Sequence, residues 1–148
     1  MIYTLVVAIV LAVWEIQIEG ENGWAGKLPT WRCTNKLISK LLGGRPLTGY
    51  HLMMWIFLLM IIHLPCFFTH WNWRKEMLIV GFFFTLVTLE DFFWFVFNPA
   101  FGIKKFRSDN LEIWWYRRWW LGVPNVYWLA LMVITICFYF GLPTILKL

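Results

Sequence analysis

Long apolar runs alternate with short polar stretches along this chain, and the run lengths match a bilayer better than a soluble core. Four runs approach the about 20 mostly apolar residues that a membrane-crossing helix needs: residues 2–18, 47–68, 77–97 and 120–142. The first is the shortest. Its uninterrupted apolar stretch stops at Trp14, which leaves Glu15 and Gln17 within the membrane or at its edge. The pattern predicts an all-α polytopic membrane protein, a four-helix bundle forming one integral membrane domain over residues 1–148.

The polar connections carry helical patterning of their own. In "CTNKLISKLLGG", Leu37, Ile38, Leu41 and Leu42 recur at helical spacing opposite Lys36, Ser39 and Lys40. Thr34 or Asn35 is a suitable start cap, and Gly43-Gly44 a suitable stop. "SDNLEIWWYRRWW" has a similar character, with Ser108 or Asp109 as N-cap and four tryptophans suited to a headgroup layer. Both stretches read as short amphipathic helices lying on the membrane surface in the two longer loops. "NPAFG" ends the third span, and "GVPN" opens the fourth with Pro124 in its first turn.

Composition supports the membrane reading. The chain is 61% hydrophobic and only 14% charged, with mean hydropathy +0.65. A soluble domain carries about 25% charged residues, and a chain this short has no core large enough for so much apolar surface. Twelve tryptophans, many at the ends of the apolar runs, fit an interfacial belt. The net charge of +5 comes from the connections. It points to orientation and anionic lipid rather than nucleic acid, because there is no basic soluble domain.

Lys27, Arg32, Lys36, Lys40 and Arg45 lie in the first connection, and Lys104, Lys105, Arg107, Arg117 and Arg118 in the third. Only Arg74, Lys75 and Lys147 fall on the other side. The bias predicts cytoplasmic long loops and both termini outside, in the cytoplasmic membrane of a prokaryote. A cleaved signal peptide fits poorly, since there is no basic n-region and no small-residue cleavage site. Cys33, Cys66 and Cys137 form no CxxC motif. Packing is the expected role of all three, with a disulfide between Cys66 and Cys137, which fall at similar depth, as the alternative.

Within this frame the polar groups are one-sided. Glu90 precedes Asn98 by eight residues, about 12 Å from the cytoplasmic end of its helix. Glu15 lies about 7 Å from Gly20 at the same end of the first span. Tyr50 and His51 open the second span, and Asn125 and Tyr127 open the fourth. Each intramembrane acid costs at least about 2.5–3.5 kcal/mol to insert, so Glu90 and Asp91 should face the bundle interior and a counter-charge, a metal or a ligand. Glu15 and Glu19, four residues apart, share a helix face. With His51, Glu90 and Asp91 they form an oxygen-rich set with one imidazole, suited to a divalent cation such as Mn, Fe or Mg. The Glu-x-x-His pair of di-iron bundles is absent. Pairing of the acids with Arg32, Arg45, Arg117 or Arg118 is the structural alternative. Arg117 and Arg118, beside four tryptophans, suit a phosphate or carboxylate headgroup. The outer half offers little: His63, Thr85, Thr88 and Thr135. "EGENGWAGKLPTWR", rich in glycine, reads as a lid over the polar cluster or as a simple ordered loop.

"IEGENGWAGKLPTWR" and "EDFFWFVFNPAFGIKKF" resemble stretches of small four-span membrane proteins of prokaryotes, a resemblance that carries no activity. The four-span plan with a glutamate in the first span also resembles small multidrug-resistance transporters. The chain departs from them in its longer loops, the end-on placement of its acids and the extra acids of the third span. No phosphate loop, serine-nucleophile elbow or retinal lysine is present. Expected partners are the bilayer, a lipid headgroup or small-molecule ligand, and a homo-oligomer or membrane complex. The expected function is a cytoplasm-facing polar pocket for a small polar or lipid-like ligand, with enzymatic activity left open. The alternatives are an oligomeric transporter or channel, and an accessory subunit in which Gly81 and Ala130 allow close helix approach.

Overall fold

The computed structural model describes residues 2–107, 116 and 118–142. The chain is mostly helical. Helix α1 spans Ile2–Glu19 and α2 spans Lys36–Leu41. Helix α3 runs over Gly49–His63 and tightens into a 3-10 turn at Leu64–Phe67, where Pro65 removes a backbone donor. Helix α4 spans Trp73–Phe97, and α5 spans Asn125–Gly141. Two small antiparallel pairs brace the connections. β1 (Arg32–Cys33) pairs with β2 (Leu47–Thr48), and β3 (Trp119–Trp120) pairs with β4 (Val123–Pro124).

Local chemistry sets the helix boundaries. Asn35 caps α2, its side chain accepting from the Leu37 and Ile38 amides at 2.9 and 3.3 Å. Thr48 caps α3 by accepting from the His51 amide at 3.2 Å. The predicted second span therefore starts two residues late, because Leu47 and Thr48 pair as a strand. Asn72 accepts from the Lys75 amide and starts α4 a full turn before the predicted Met77. The predicted fourth span begins at Asn125 rather than Trp120. Leu121 and Gly122 both have positive φ, +50° and +75°, and make a two-residue hairpin turn between β3 and β4. Pro124 is the flanking cap of α5, outside its first turn. Trp119 and Trp120 thus lie in a hairpin. Tyr116 and Arg118 of the second amphipathic helix expected there are not helical, and Ser108, Asp109, Trp114, Trp115 and Arg117 lie outside the described residues, as does Lys147.

Helix α4 is the hub, packing along both α1 and α5 and touching α3 only sparsely. Small residues permit the close contacts. Ala8 and Ala12 of α1 are fully buried. A Cβ on Gly81 would meet Cys137 Cβ at 3.1 Å, and one on Gly141 would meet Leu78 at 2.7 Å. The core gathers at one end of the bundle, where Trp24, Trp94, Phe95, Phe101 and Tyr116 pack around Ala12. Cys33, Cys66 and Cys137 are all free thiols.

The helix flanks expose large apolar side chains, while several charged side chains are buried among the helices. Met53, Phe57 and Met60 on α3, with Leu131, Met132 and Tyr139 on α5, are exposed. Glu15, Glu19, Arg45, His51 and Glu90 are buried. Among the described residues, α1, α3 with its 3-10 extension, and α4 are long and apolar enough to cross a membrane. Helix α5 is apolar and slightly shorter, at 17 residues.

Candidate functional site

The site forms where the first connection folds back over the ends of α1, α3 and α4. Gly20, at φ +62°, turns the chain out of α1. Asn98, at the end of α4, donates from Nδ2 to the Gly20 carbonyl at 2.7 Å and ties the loop to the bundle. Trp24 and Ala25 both adopt positive φ, +57° and +52°, a costly conformation for side-chain-bearing residues. Several contacts hold it. The Glu19 carboxylate accepts from the Ala25 amide, Arg32 donates to the Ala25 and Gly26 carbonyls, and the Trp24 indole donates to the Pro46 carbonyl at 2.7 Å. The strained turn drives the Trp24 ring inward.

Trp24 is sandwiched. The His51 imidazole stacks on it with centroids 3.8 Å apart, and the Arg45 guanidinium lies 3.4 Å from its ring centre. Arg45 also sits over the Tyr116 ring at 4.7 Å and meets Asp91 Oδ1 at 3.5 Å. The Tyr116 and Tyr127 hydroxyls both donate to Asp91 Oδ2 in short hydrogen bonds. Asp91 therefore has a full set of partners. Burial pushes the Tyr116 phenol well above its ordinary value, against the pull of Arg45 and with a further push from Asp91. For Arg45, burial opposes the charge. The Tyr116, Asp91 and Tyr127 oxygens outweigh it and hold the guanidinium protonated above its usual range.

On the other side of Trp24 lies a carboxylate–imidazole cluster. His51 Nδ1 is 2.7 Å from the Thr48 hydroxyl. His51 Nε2 faces Glu15 Oε1 and Glu19 Oε1, each at 3.6 Å. Glu15 also adjoins the Glu90 carboxyl. Glu15 Oε1 and Glu90 Oε1 are buried without a hydrogen-bond donor. No lysine or arginine among the described residues pairs with Glu15, Glu19 or Glu90, since the arginine beside them, Arg45, is turned to Asp91.

A cavity of about 500 Å³ opens from this cluster. Glu15, Arg45, His51, Glu90, Asp91 and Tyr127 form its polar end. Phe83, Phe84 and Val87 of α4, with Leu129, Ala130 and Val133 of α5, form its apolar walls. It lies between α3 and the α4–α5 pair, against which α3 packs only sparsely. A separate hollow of about 470 Å³ is lined by Lys36, Lys40 and Arg118 with the Gly43-Gly44 backbone.

Five of the expected site residues, Glu15, Glu19, His51, Glu90 and Asp91, come together, and Tyr127 joins them through Asp91. Asn125 does not. It lies against the Gly43 turn, with no hydrogen bond to the carboxylates among the described residues. Of the arginines considered as partners for the acids, Arg45 alone takes that role among the described residues. Arg32 is spent on loop carbonyls, Arg118 lines the basic hollow, and Arg117 lies outside the described residues. Trp24, Thr48 and Tyr116 are additional site residues. Thr48-x-x-His51 has helix-cap spacing, a readable signal, whereas nothing separates Tyr116 from its aromatic neighbours. The opposite end of the bundle is also less bare than its sequence suggests. His63 Nε2 pairs with Glu76 Oε1 at 3.0 Å, and Trp71 donates to the same carboxylate.

Fold and site together define a class: a helical protein with an apolar exterior and a buried carboxylate–imidazole cluster at the polar end of an apolar cleft. No family model matches the chain, and no curated protein or solved structure is significantly similar to it.

Proposed function

We propose that this chain is an integral membrane protein with four helical spans whose cleft binds an amphiphilic, lipid-like ligand from the cytoplasmic side. The single observation that carries this reading is the shape and chemistry of the cleft, polar at the carboxylate end and apolar along α4 and α5. Its volume of about 500 Å³ falls within the range of about 300–1,000 Å³ usual for ligand pockets. A ligand gains about 0.8 kcal/mol for each methylene it buries. The polar end then selects headgroups that donate hydrogen bonds or carry positive charge.

The large apolar side chains exposed along the helices support bilayer placement. At 17 residues, α5 lies at the short end of the usual range of about 17–25 for a span. Trp120 and Trp128, in contact at its start, suit an interfacial anchor. The lysine and arginine bias supports a cytoplasmic position for the site.

The test is lipid analysis of protein purified in mild detergent. Native mass spectrometry should find a retained amphiphile on the wild type. Ala130→Trp, which fills the cleft, should lose it. Glu76→Gln, at the other end of α4, should keep it. Retention by Ala130→Trp would exclude the cleft as the binding site.

A further inference from the structure

We propose that Glu15, Glu19 and His51 form a binding site for one divalent first-row transition-metal ion at the polar end of the cleft. This goes beyond the ligand reading and does not depend on it.

The donor atoms are already gathered. One ligand atom from each residue lies within 4.8 Å of the others, and all three residues are buried. The spacing has the character of a coordination shell. His51 Nε2 stands 3.6 Å from both Glu15 Oε1 and Glu19 Oε1, too far for a hydrogen bond to either. Two ligands bonded at about 2.1 Å to one ion lie about 3.0 Å apart in an octahedron and about 3.4 Å apart in a tetrahedron. An imidazole set midway between two carboxylates, bonded to neither, leaves a position between them for a cation.

The surroundings point the same way. Thr48 Oγ1 lies 2.7 Å from His51 Nδ1 and fixes the ring. With Nδ1–H donating to that oxygen, the Nε2 lone pair faces the carboxylates, which is how metal-bound histidines are oriented. Trp24 stacks on the ring and prevents it from turning. Glu15 and Glu90 are 5% and 6% exposed, and each has a carboxylate oxygen with no donor. Buried polar atoms are rarely left unpaired. Arg45 lies against the Trp24 ring with Asp91 as its ion-pair partner, and makes no ion pair with either of them. A divalent ion would meet Glu15 directly and offset the charge of the cluster. The imidazole favours manganese, iron or zinc over magnesium, which prefers oxygen ligands and keeps several waters.

The test uses the full chain purified in detergent without chelator, with elemental analysis, followed by chelation and titration with Mn²⁺ monitored by electron paramagnetic resonance and thermal melting. A stoichiometric ion, or saturable Mn²⁺ binding that raises the melting temperature, is expected. Glu15→Gln, nearly isosteric, should weaken Mn²⁺ binding by more than about tenfold, and Thr48→Val by about tenfold through the orientation of His51. His51→Ala should abolish binding. If that variant does not fold, the Glu15→Gln and Thr48→Val comparison decides. Ala130→Trp should bind Mn²⁺ as the wild type does, so loss of lipid and loss of metal are read separately. Absence of metal together with no Mn²⁺-dependent shift would overturn the site. So would binding that is equal in wild type, Glu15→Gln and Thr48→Val.

Discussion

Glu90 and Asp91 are neighbours in the chain with opposite surroundings. Asp91 meets Arg45 at 3.5 Å and accepts from two tyrosine hydroxyls. Glu90 points to Glu15, with one oxygen that finds no donor. Successive helix positions differ by about 100° in direction, so one residue faces the Arg45 side of Trp24 and the other the His51 side. Their amides should therefore behave differently in chelator-treated protein. Asp91→Asn leaves Arg45 buried without its counter-charge and should cost about 3 kcal/mol. Glu90→Gln removes a buried acid that lacks a cation and should change stability by less than about 1 kcal/mol, or improve it. Thermal or denaturant unfolding in detergent measures both, and equal losses would contradict the asymmetry.

Two glycines with similar positive φ should respond differently to alanine. Gly20 has φ +62° with open space where a Cβ would project. Gly43 has φ +74°, and its Cβ would sit 2.6 Å from Val126 Cγ1 on α5. Gly20→Ala should cost only the left-handed conformation, about 1–2 kcal/mol. Gly43→Ala adds overpacking of about 1–3 kcal/mol, and should also loosen α2 from α5. Melting temperatures of the pair test this, and equal shifts would rule out the steric contribution.

Tyr116 gives a pH dependence whose sign is fixed. Burial raises its phenol pKa in the folded chain, while the unfolded phenol ionises near about 10. The folded state therefore keeps a proton that the unfolded state loses. The stabilisation is fully present below about pH 10 and declines as pH rises above it. Melting temperatures should fall between about pH 9 and about pH 11, and Tyr116→Phe should fall less steeply. An unchanged slope in the variant would show that Tyr116 titrates alike in both states.

Much of this architecture was legible because its signals are local or periodic. The apolar runs mark the helices, and the Asn35 cap with the Gly43 stop marks α2. The carboxylates and His51 follow from depth along each helix. What escaped depends on long-range geometry. Leu47 and Thr48 follow on into α3 in the sequence pattern, yet they pair with Cys33 and Arg32 across a long loop. Asn72 moves the start of α4 outward by one side-chain hydrogen bond. The partner of Asp91 was one of four arginines in the sequence, and only the fold of the first connection selects Arg45. The inward turn of Trp24 rests on two consecutive positive φ values at non-glycine residues, which propensity disfavours and tertiary contacts impose.

Trp24 is therefore the residue whose removal should uncouple the two halves of the site. Its ring separates Arg45 from His51, and its indole donor holds the loop to Pro46. Trp24→Phe keeps an aromatic face for both neighbours and loses one hydrogen bond, so it should cost about 1 kcal/mol. Trp24→Ala also loses the buried ring and should cost about 3–5 kcal/mol. The larger loss carries an electrostatic consequence. Without the ring, the Arg45 guanidinium is free to swing toward Glu15 and Glu19 and to compete with a cation there. Trp24→Ala should then bind Mn²⁺ more weakly than Trp24→Phe, by about tenfold or more if one ligand is lost to Arg45. Titration of both variants at a temperature where each remains folded separates this effect from unfolding. Equal affinities would mean that Trp24 serves only as packing.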